Sequence, residues 1–129
     1  MSFSDLAEQT MLASVLENTF IGLVTTTPTD TSPGIEVSAA EYARQPWSAS
    51  YTQGNPTTAT NMGTVEFPQA VTNWGQVTHA VLFTAATGGV FIAYMELRDP
   101  NNIAMLLPKV VTSGDILRFQ AGAITFELE

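Results

Sequence analysis

The sequence predicts a mainly β protein, an antiparallel β-sandwich of jelly-roll type with one N-terminal α-helix. Several segments alternate apolar and polar side chains with the period of two that half-buried strands require. Glycine and proline separate these segments at short intervals. A length of 129 residues allows one core, so we expect a single domain over 1–129. Within it, the helix is predicted in 1–19 and the sandwich in 20–129.

The helix prediction rests on the first segment of the chain. Asp5 and Glu8 approximate a capping box, and Asn18 suits a helix end. The apolar residues at helical spacing are Met11, Leu12, Val15 and Leu16. The segment lacks the basic region and the continuous apolar stretch of a secretory signal, so we expect neither a signal nor an anchor.

Short strands and turns are predicted in the first half of the remaining chain. Residues 19–24 are β-branched and apolar, which predicts a strand, and 25–34 predict an exposed loop because they contain two prolines. Two more strands are predicted at 41–47 and 48–53. The sequence GNPTTAT at 54–60 predicts a turn.

The segment GTVEF shows the clearest short alternation. Val65 and Phe67 alternate with Thr64 and Glu66. The pattern predicts a half-buried strand whose valine and phenylalanine point inward.

The most hydrophobic stretch, residues 79–97, predicts a β-hairpin. Its first half continues the alternation, and Gly88 and Gly89 can adopt the positive φ values of a chain reversal. A membrane helix needs about 18 consecutive apolar residues, and Thr84 and the glycines interrupt this stretch. Since both predicted strands are apolar on both faces, we expect the hairpin to be covered on both sides.

A second hairpin is predicted at the C-terminus, from residues 115–119 and 123–129 around the short turn QAG. The side chains predicted to point inward are Leu117, Phe119, Ile124, Phe126 and Leu128.

Residues 98–114 are predicted as a turn, a short extended piece and a turn. Met105, Leu106 and Leu107 form an apolar run in this apparent loop. We therefore interpret them as candidate interface residues.

Trp47 and Trp74 are candidate core or interface anchors. Packing is the favoured role for Trp74. Together with Tyr51, the two tryptophans would alternatively form an aromatic platform for sugars.

Little in the sequence indicates catalysis. His79 is the sole histidine, and we expect a structural role with its nitrogens bonded to backbone or a hydroxyl group. The alternative is a pH-sensitive contact at a subunit boundary. Glu96 and Arg98 fall on one face of a strand and are interpreted as an ion pair.

Composition also argues against cofactors, metals and nucleic acids. There are no cysteines, and Asp30, Asp99 and Asp115 do not form the dense acidic pattern of a calcium loop. The glycine pair lacks the lysine of a phosphate-binding loop. A net charge of −8 opposes binding to phosphates. We expect a protein that is not an enzyme and binds no cofactor, nucleic acid or membrane.

The surface is predicted to be weakly charged. Charged residues are 12% of the chain, against about 25% in an average soluble domain. Such a neutral surface favours contact with copies of the chain or with other proteins.

The order of these segments resembles a known family. WGQVTHAVLFTAATGG, followed by SGDILRFQAGAITFEL, is similar to the small virion proteins of tailed bacteriophages that are commonly called tail fibre proteins. The resemblance implies a structural component of the virus particle with a β-sandwich body and no enzymatic activity. It brings no catalytic residues.

Two functions are compatible with this resemblance. The chain lacks the heptads or repeats of a fibre shaft, which favours a capsid decoration protein on the head surface. Its partners would be the major capsid protein and copies of itself, most simply in a homotrimer. The alternative is a tail fibre or tail-tip component that attaches other tail proteins or contacts host surface glycans.

Overall fold

The computed structural model describes residues 4–54, 57–99, 102–106 and 109–128, with the backbone alone at 98–99, 102–106 and 127–128. Within these residues it contains one helix, α1 (Asp5–Leu16), and strands that pair only in antiparallel fashion. The strands are β1 (Phe20–Val24), β2 (Gln45–Pro46), β3 (Ala49–Thr52), β4 (Thr57–Asn61), β5 (Val65–Glu66), β6 (Gly75–Val77), β7 (His79–Phe83), β8 (Phe91–Glu96), β9 (Arg98–Asp99), β10 (Asn102–Leu106), β11 (Lys109–Val111), β12 (Arg118–Phe119) and β13 (Thr125–Leu128). A mainly β fold with one N-terminal helix is confirmed.

Helix α1 is capped by Ser4, whose hydroxyl oxygen accepts the backbone N–H of Ala7 at 3.2 Å. The expected cap at Asp5 is wrong by one residue, and Asp5 instead lies in the first turn, where its charge suits the helix dipole. Leu12 and Leu16 are buried in the core. Glu8, one turn before Leu12, is buried as well, so the helix packs along one face.

The four-stranded sheet has the order β2-β1-β7-β8. The predicted hairpin is confirmed as β7 and β8, which pair from His79 opposite Glu96 to Phe83 opposite Phe91. Every residue of β7 is buried, as expected for a strand covered on both faces.

The three-stranded sheet has the order β13-β4-β3. The turn predicted at 54–60 is wrong in its second half, because Thr57–Asn61 is the central strand of this sheet. Thr57, Ala59 and Asn61 are buried, so the alternation of a half-buried strand is present in small and polar residues.

The predicted C-terminal hairpin is wrong. β12 pairs with β5, where Phe119 lies opposite Val65, and β13 pairs with β4. The chain does reverse between them, with the N–H of Ala123 donating to the carbonyl of Gln120. The two strands then enter different sheets because each has a distant partner that places its apolar face in the core.

The inward-facing residues of these strands are confirmed nonetheless. Val65 and Phe67 are buried, while Thr64 and Glu66 are exposed. The buried side chains in the C-terminal strands and their flanks are Leu117, Phe119, Ile124 and Phe126. The side chain of Leu128 lies outside the described residues.

The segment predicted as turn and extended piece contains three strands. β9 pairs with β10, and β11 pairs with β6. Met105 and Leu106 therefore belong to a strand, not a loop, because the segment folds back on β9. Their side chains, and Leu107 altogether, lie outside the described residues.

The core lies between the two larger sheets. Ile21 and Leu82 from the four-stranded sheet share one buried cluster with Ala59 and Phe126 from the three-stranded sheet. Val24, Val81 and Phe83 form a smaller cluster apart from it. This sandwich-like arrangement buries apolar side chains on both faces of the four-stranded sheet.

Candidate functional site

A cleft of about 410 Å³ opens at the C-terminal end of α1. Residues 16–20 line one side, and residues 46–49 with Tyr51 line the other. We call it the helix-end cleft. Its volume lies within the range of about 300–1,000 Å³ that is usual for small-molecule sites.

Trp47 is fixed in the wall of the helix-end cleft. Its indole Nε1 donates to the hydroxyl of Thr19 at 2.7 Å, and that hydroxyl donates to the carbonyl of Leu16 at 2.6 Å. The indole also packs edge-on against Phe126, with centroids 5.8 Å apart. The chain of contacts joins the wall of the cleft to the helix end and to the core, and it leaves Trp47 half-buried.

Several polar side chains of the cleft have no hydrogen-bond partner among the described residues. They are the Glu17 carboxylate, the Asn18 amide, the Ser48 hydroxyl and the Tyr51 hydroxyl. Burial, together with the charge of Glu17, raises the pKa of Tyr51. A tyrosine hydroxyl is protonated at neutral pH, so Tyr51 can donate a hydrogen bond to a ligand.

The backbone at the cleft rim has a defined conformation. Asn18 has a φ of 58°, and it is the described non-glycine residue in the left-handed region. Asparagine tolerates this conformation better than most residues, and here it turns the chain from α1 into β1.

Trp74 lies elsewhere, so the three aromatic residues do not form one platform. Trp74 is 6% exposed and packs edge-on against Tyr42, with ring centroids 5.5 Å apart. Its Nε1 donates to Oε1 of Glu41 at 3.1 Å. Trp74 thus belongs to the core, and of the predicted platform the cleft retains Trp47 and Tyr51.

Glu41 is the centre of a polar cluster that the sequence did not reveal. Its Oε1 accepts the backbone N–H groups of Val71 and Thr72, each at 2.8 Å, as well as the indole of Trp74. These hydrogen bonds, the one from Thr72 foremost, lower the pKa of Glu41 from 4.5 to about 2. Through these bonds to one carboxylate oxygen, Glu41 anchors residues 71–74.

Arg44 organises a second cluster on the outer face of the four-stranded sheet. Its guanidinium lies 3.5 Å from the centre of the Phe83 ring. Its Nη1 donates to the carbonyls of Ala85 and Gly88, at 2.9 and 2.8 Å. Gly88 has a φ of 64°, so the predicted role of this glycine in a chain reversal is confirmed.

The comparisons with known proteins identify the family. The model of the family described as "Podophage GP4 fiber I protein gp80" matches residues 2–127. The chain belongs to this family. A comparison with curated proteins finds no match. The resemblance to phage tail fibre proteins is confirmed, and the gp80-family chain is a structural protein of the phage virion.

In this gp80-family chain, His79 is 6% exposed and its Nδ1 lies 2.8 Å from the hydroxyl of Thr78. This hydroxyl is a partner of the kind that the sequence predicts for a structural histidine. Burial lowers the pKa of His79, and the charge of Glu96 on the neighbouring strand acts in the opposite direction. The ring of Tyr94 lies edge-on to it at 6.2 Å.

The described part of the gp80-family chain offers no group of three or more His, Cys, Asp or Glu side chains that could hold a metal ion. Its helix is too short and too polar to cross a membrane.

Proposed function

We propose that this gp80-family chain is a component of the phage tail fibre and that it acts by binding other tail proteins. The family match supports the proposal, because the family is described as a fibre protein and the match extends over residues 2–127. A tail fibre component is therefore preferred to a decoration protein of the head.

The architecture supports a globular part of the fibre. The contacts that hold the molecule together join residues far apart in sequence, as between Arg44 and Gly88 or Asn61 and Ile124. Such long-range contacts support a globular body at the base or tip of a fibre, because a shaft is built from repeated local contacts.

Separation of purified virions into heads and tails tests this proposal. The protein, quantified by mass spectrometry against the major capsid protein and a tail protein of known copy number, is expected in the tail fraction in few copies. A signal in the head fraction with hundreds of copies would contradict the proposal and support decoration.

The proposal includes self-association. Several large apolar side chains are about two-thirds exposed, namely Leu6, Ile35, Val71 and Val90. Contacts between copies of the chain would bury these side chains, so we expect an oligomer, most simply a trimer. Because such contacts do not depend on opposite charges, the mass of the oligomer is expected to be the same in low and high salt. Sedimentation equilibrium measures this, and a monomer at all concentrations would contradict it.

We also propose that the chain has no enzymatic activity. His79, the one imidazole, is buried against Thr78 and Tyr94. The purified protein is expected to leave host polysaccharide and peptidoglycan intact. Hydrolysis that is lost in a folded His79→Ala variant would contradict this part of the proposal.

A further inference from the structure

The helix-end cleft combines aromatic side chains with exposed polar groups, and both suit one kind of ligand. Trp47 and Tyr51 both line the cleft and are half-buried, so its wall contains two aromatic side chains. Glu17, Asn18 and Ser48 supply exposed polar groups around it. A saccharide has the same division, because its C–H faces pack on aromatic rings while its hydroxyl groups donate and accept hydrogen bonds.

The polar groups of the cleft are available for a ligand. The side chains of Glu17, Asn18, Ser48 and Tyr51 have no hydrogen-bond partner in the described part of the chain. The set is complementary to a hydroxyl-rich ligand, since the carboxylate accepts, the amide both donates and accepts, and the phenol donates. In contrast, the indole N–H of Trp74 and the Oε1 atom of Glu41 beside it are already bonded within the protein.

The electrostatics of the cleft select against anionic sugars. Glu17 carries a negative charge, and the cleft lies at the C-terminal end of α1, where the helix dipole is negative. The lining contains no lysine or arginine, and the chain has a net charge of −8. A carboxylated or phosphorylated sugar would meet repulsion from all of these sources.

We propose that the helix-end cleft binds a neutral saccharide, with Trp47 and the Tyr51 ring packing on the sugar ring and with Glu17, Asn18 and the Tyr51 hydroxyl bonding the sugar's hydroxyl groups. The biological setting of this inference, contact with glycans of the host surface, rests on the proposed fibre function. The binding itself does not, because it is a property of the isolated chain.

The cleft is ready for a ligand without rearrangement of Trp47. The hydrogen bond to Thr19 and the contact with Phe126 fix the indole in place. A wall that is already ordered loses little conformational entropy on binding.

A glycan array with the purified full chain, carrying neutral and anionic oligosaccharides, tests the inference. The expected hits are neutral sugars, with dissociation constants then measured by calorimetry. Tyr51→Phe removes the hydroxyl donor, which has no partner within the described part of the protein. Glu17→Gln replaces the carboxylate acceptor by a neutral amide. Each is expected to weaken binding about fivefold to tenfold, the usual effect of losing one hydrogen bond.

The variants are chosen so that folding is preserved. Trp47→Ala would remove contacts that hold the fold together, so it is not used. Asn18→Gly is the third variant, because glycine accepts the positive φ of this position. Ser50→Ala is the matched control, since Ser50 is exposed between Ala49 and Tyr51, on the opposite face of β3. It is expected to bind sugar as the unmodified chain does.

Three results would overturn the inference. They are an array with no neutral hit, a preference for anionic sugars, and binding that Tyr51→Phe and Glu17→Gln leave unchanged. The location of the protein in the tail is measured on virions and does not depend on the array. Failure of sugar binding and failure of the fibre proposal are therefore distinguishable.

Discussion

Arg44 and Glu36 form a two-point ion pair, with Nε 2.8 Å from Oε2 and Nη2 2.9 Å from Oε1. The Arg44 side chain is 9% exposed and that of Glu36 is 25% exposed. Tyr42 donates to the same Oε2 at 2.6 Å, and its hydroxyl oxygen accepts the N–H of Leu23. The pair thus ties residues 36–44 to strand β1, and Arg44 extends the connection to the turn after β7.

Arg44→Met is predicted to lower the free energy of unfolding by about 2 kcal/mol, because it removes the guanidinium from two carbonyls and from a half-buried carboxylate, which keeps only the Tyr42 hydroxyl as a donor among the described residues. The matched control is Arg118→Met, which breaks the exposed pair between Arg118 and Glu66. That substitution is expected to change the free energy of unfolding by less than about 1 kcal/mol. Denaturation in urea measures both, and equal effects would contradict the role of Arg44.

Gly22→Ala is predicted to destabilise the fold by about 2 kcal/mol, as overpacking does. A Cβ atom on Gly22 would lie 2.8 Å from Glu36 Oε2 and 2.8 Å from Phe83 Cε2. The Gly63→Ala control adds a Cβ with no atom within 4 Å. Its free energy of unfolding is expected to stay the same or rise by up to about 1 kcal/mol. A neutral Gly22→Ala would show that the cluster is looser than the structure indicates.

Asn61→Ala is predicted to lower the free energy of unfolding by about 3 kcal/mol. The Asn61 amide donates to the carbonyls of Gly63 and Gln120, and its oxygen accepts the N–H of Ile124. Asn61 is 3% exposed, so these partners would lose their bonds away from water. The control is Gln120→Ala, which removes an exposed side chain from the same turn. It is expected to change the free energy of unfolding by less than about 0.5 kcal/mol. Thermal unfolding measures both variants, and equal stability of Asn61→Ala and Gln120→Ala would contradict the prediction.

The Glu41 carboxylate is expected to contribute less to the free energy of unfolding in acid than at neutral pH. Its pKa is about 2 in the folded protein and about 4.5 when exposed. A carboxylate with a lowered folded pKa stabilises the fold in full above the unfolded pKa, and this contribution is lost as the pH falls from about 4.5 towards 2. The difference in unfolding free energy between the natural chain and Glu41→Gln should therefore shrink over that interval. A constant difference from pH 7 to pH 2.5 would contradict the prediction.

Local alternation predicted the strands but not all of their partners. Val65 and Phe67 point inward as the sequence indicates, and the adjacent strands β7 and β8 pair as the predicted hairpin. The strands β12 and β13 are also adjacent, yet they pair with β5 and β4. Nothing local distinguishes these two cases, since the choice depends on which pairing buries more of the core.

The candidate site shows the same limit. Trp47 and Tyr51 were visible as aromatic residues, but their approach to Glu17 and Asn18 depends on how α1 ends against β3. The bond between Trp74 and Glu41 joins positions 33 residues apart. Polar clusters of this kind leave no periodic pattern in a sequence, and only the folded chain brings them together.

The most direct test of the central claim, a structural role in the tail fibre, is a cryo-electron microscopy map of the intact particle. Density for this fold, with α1 against the three-stranded sheet, is expected in the fibre or at its attachment to the tail. The same density repeated across the head lattice would contradict it.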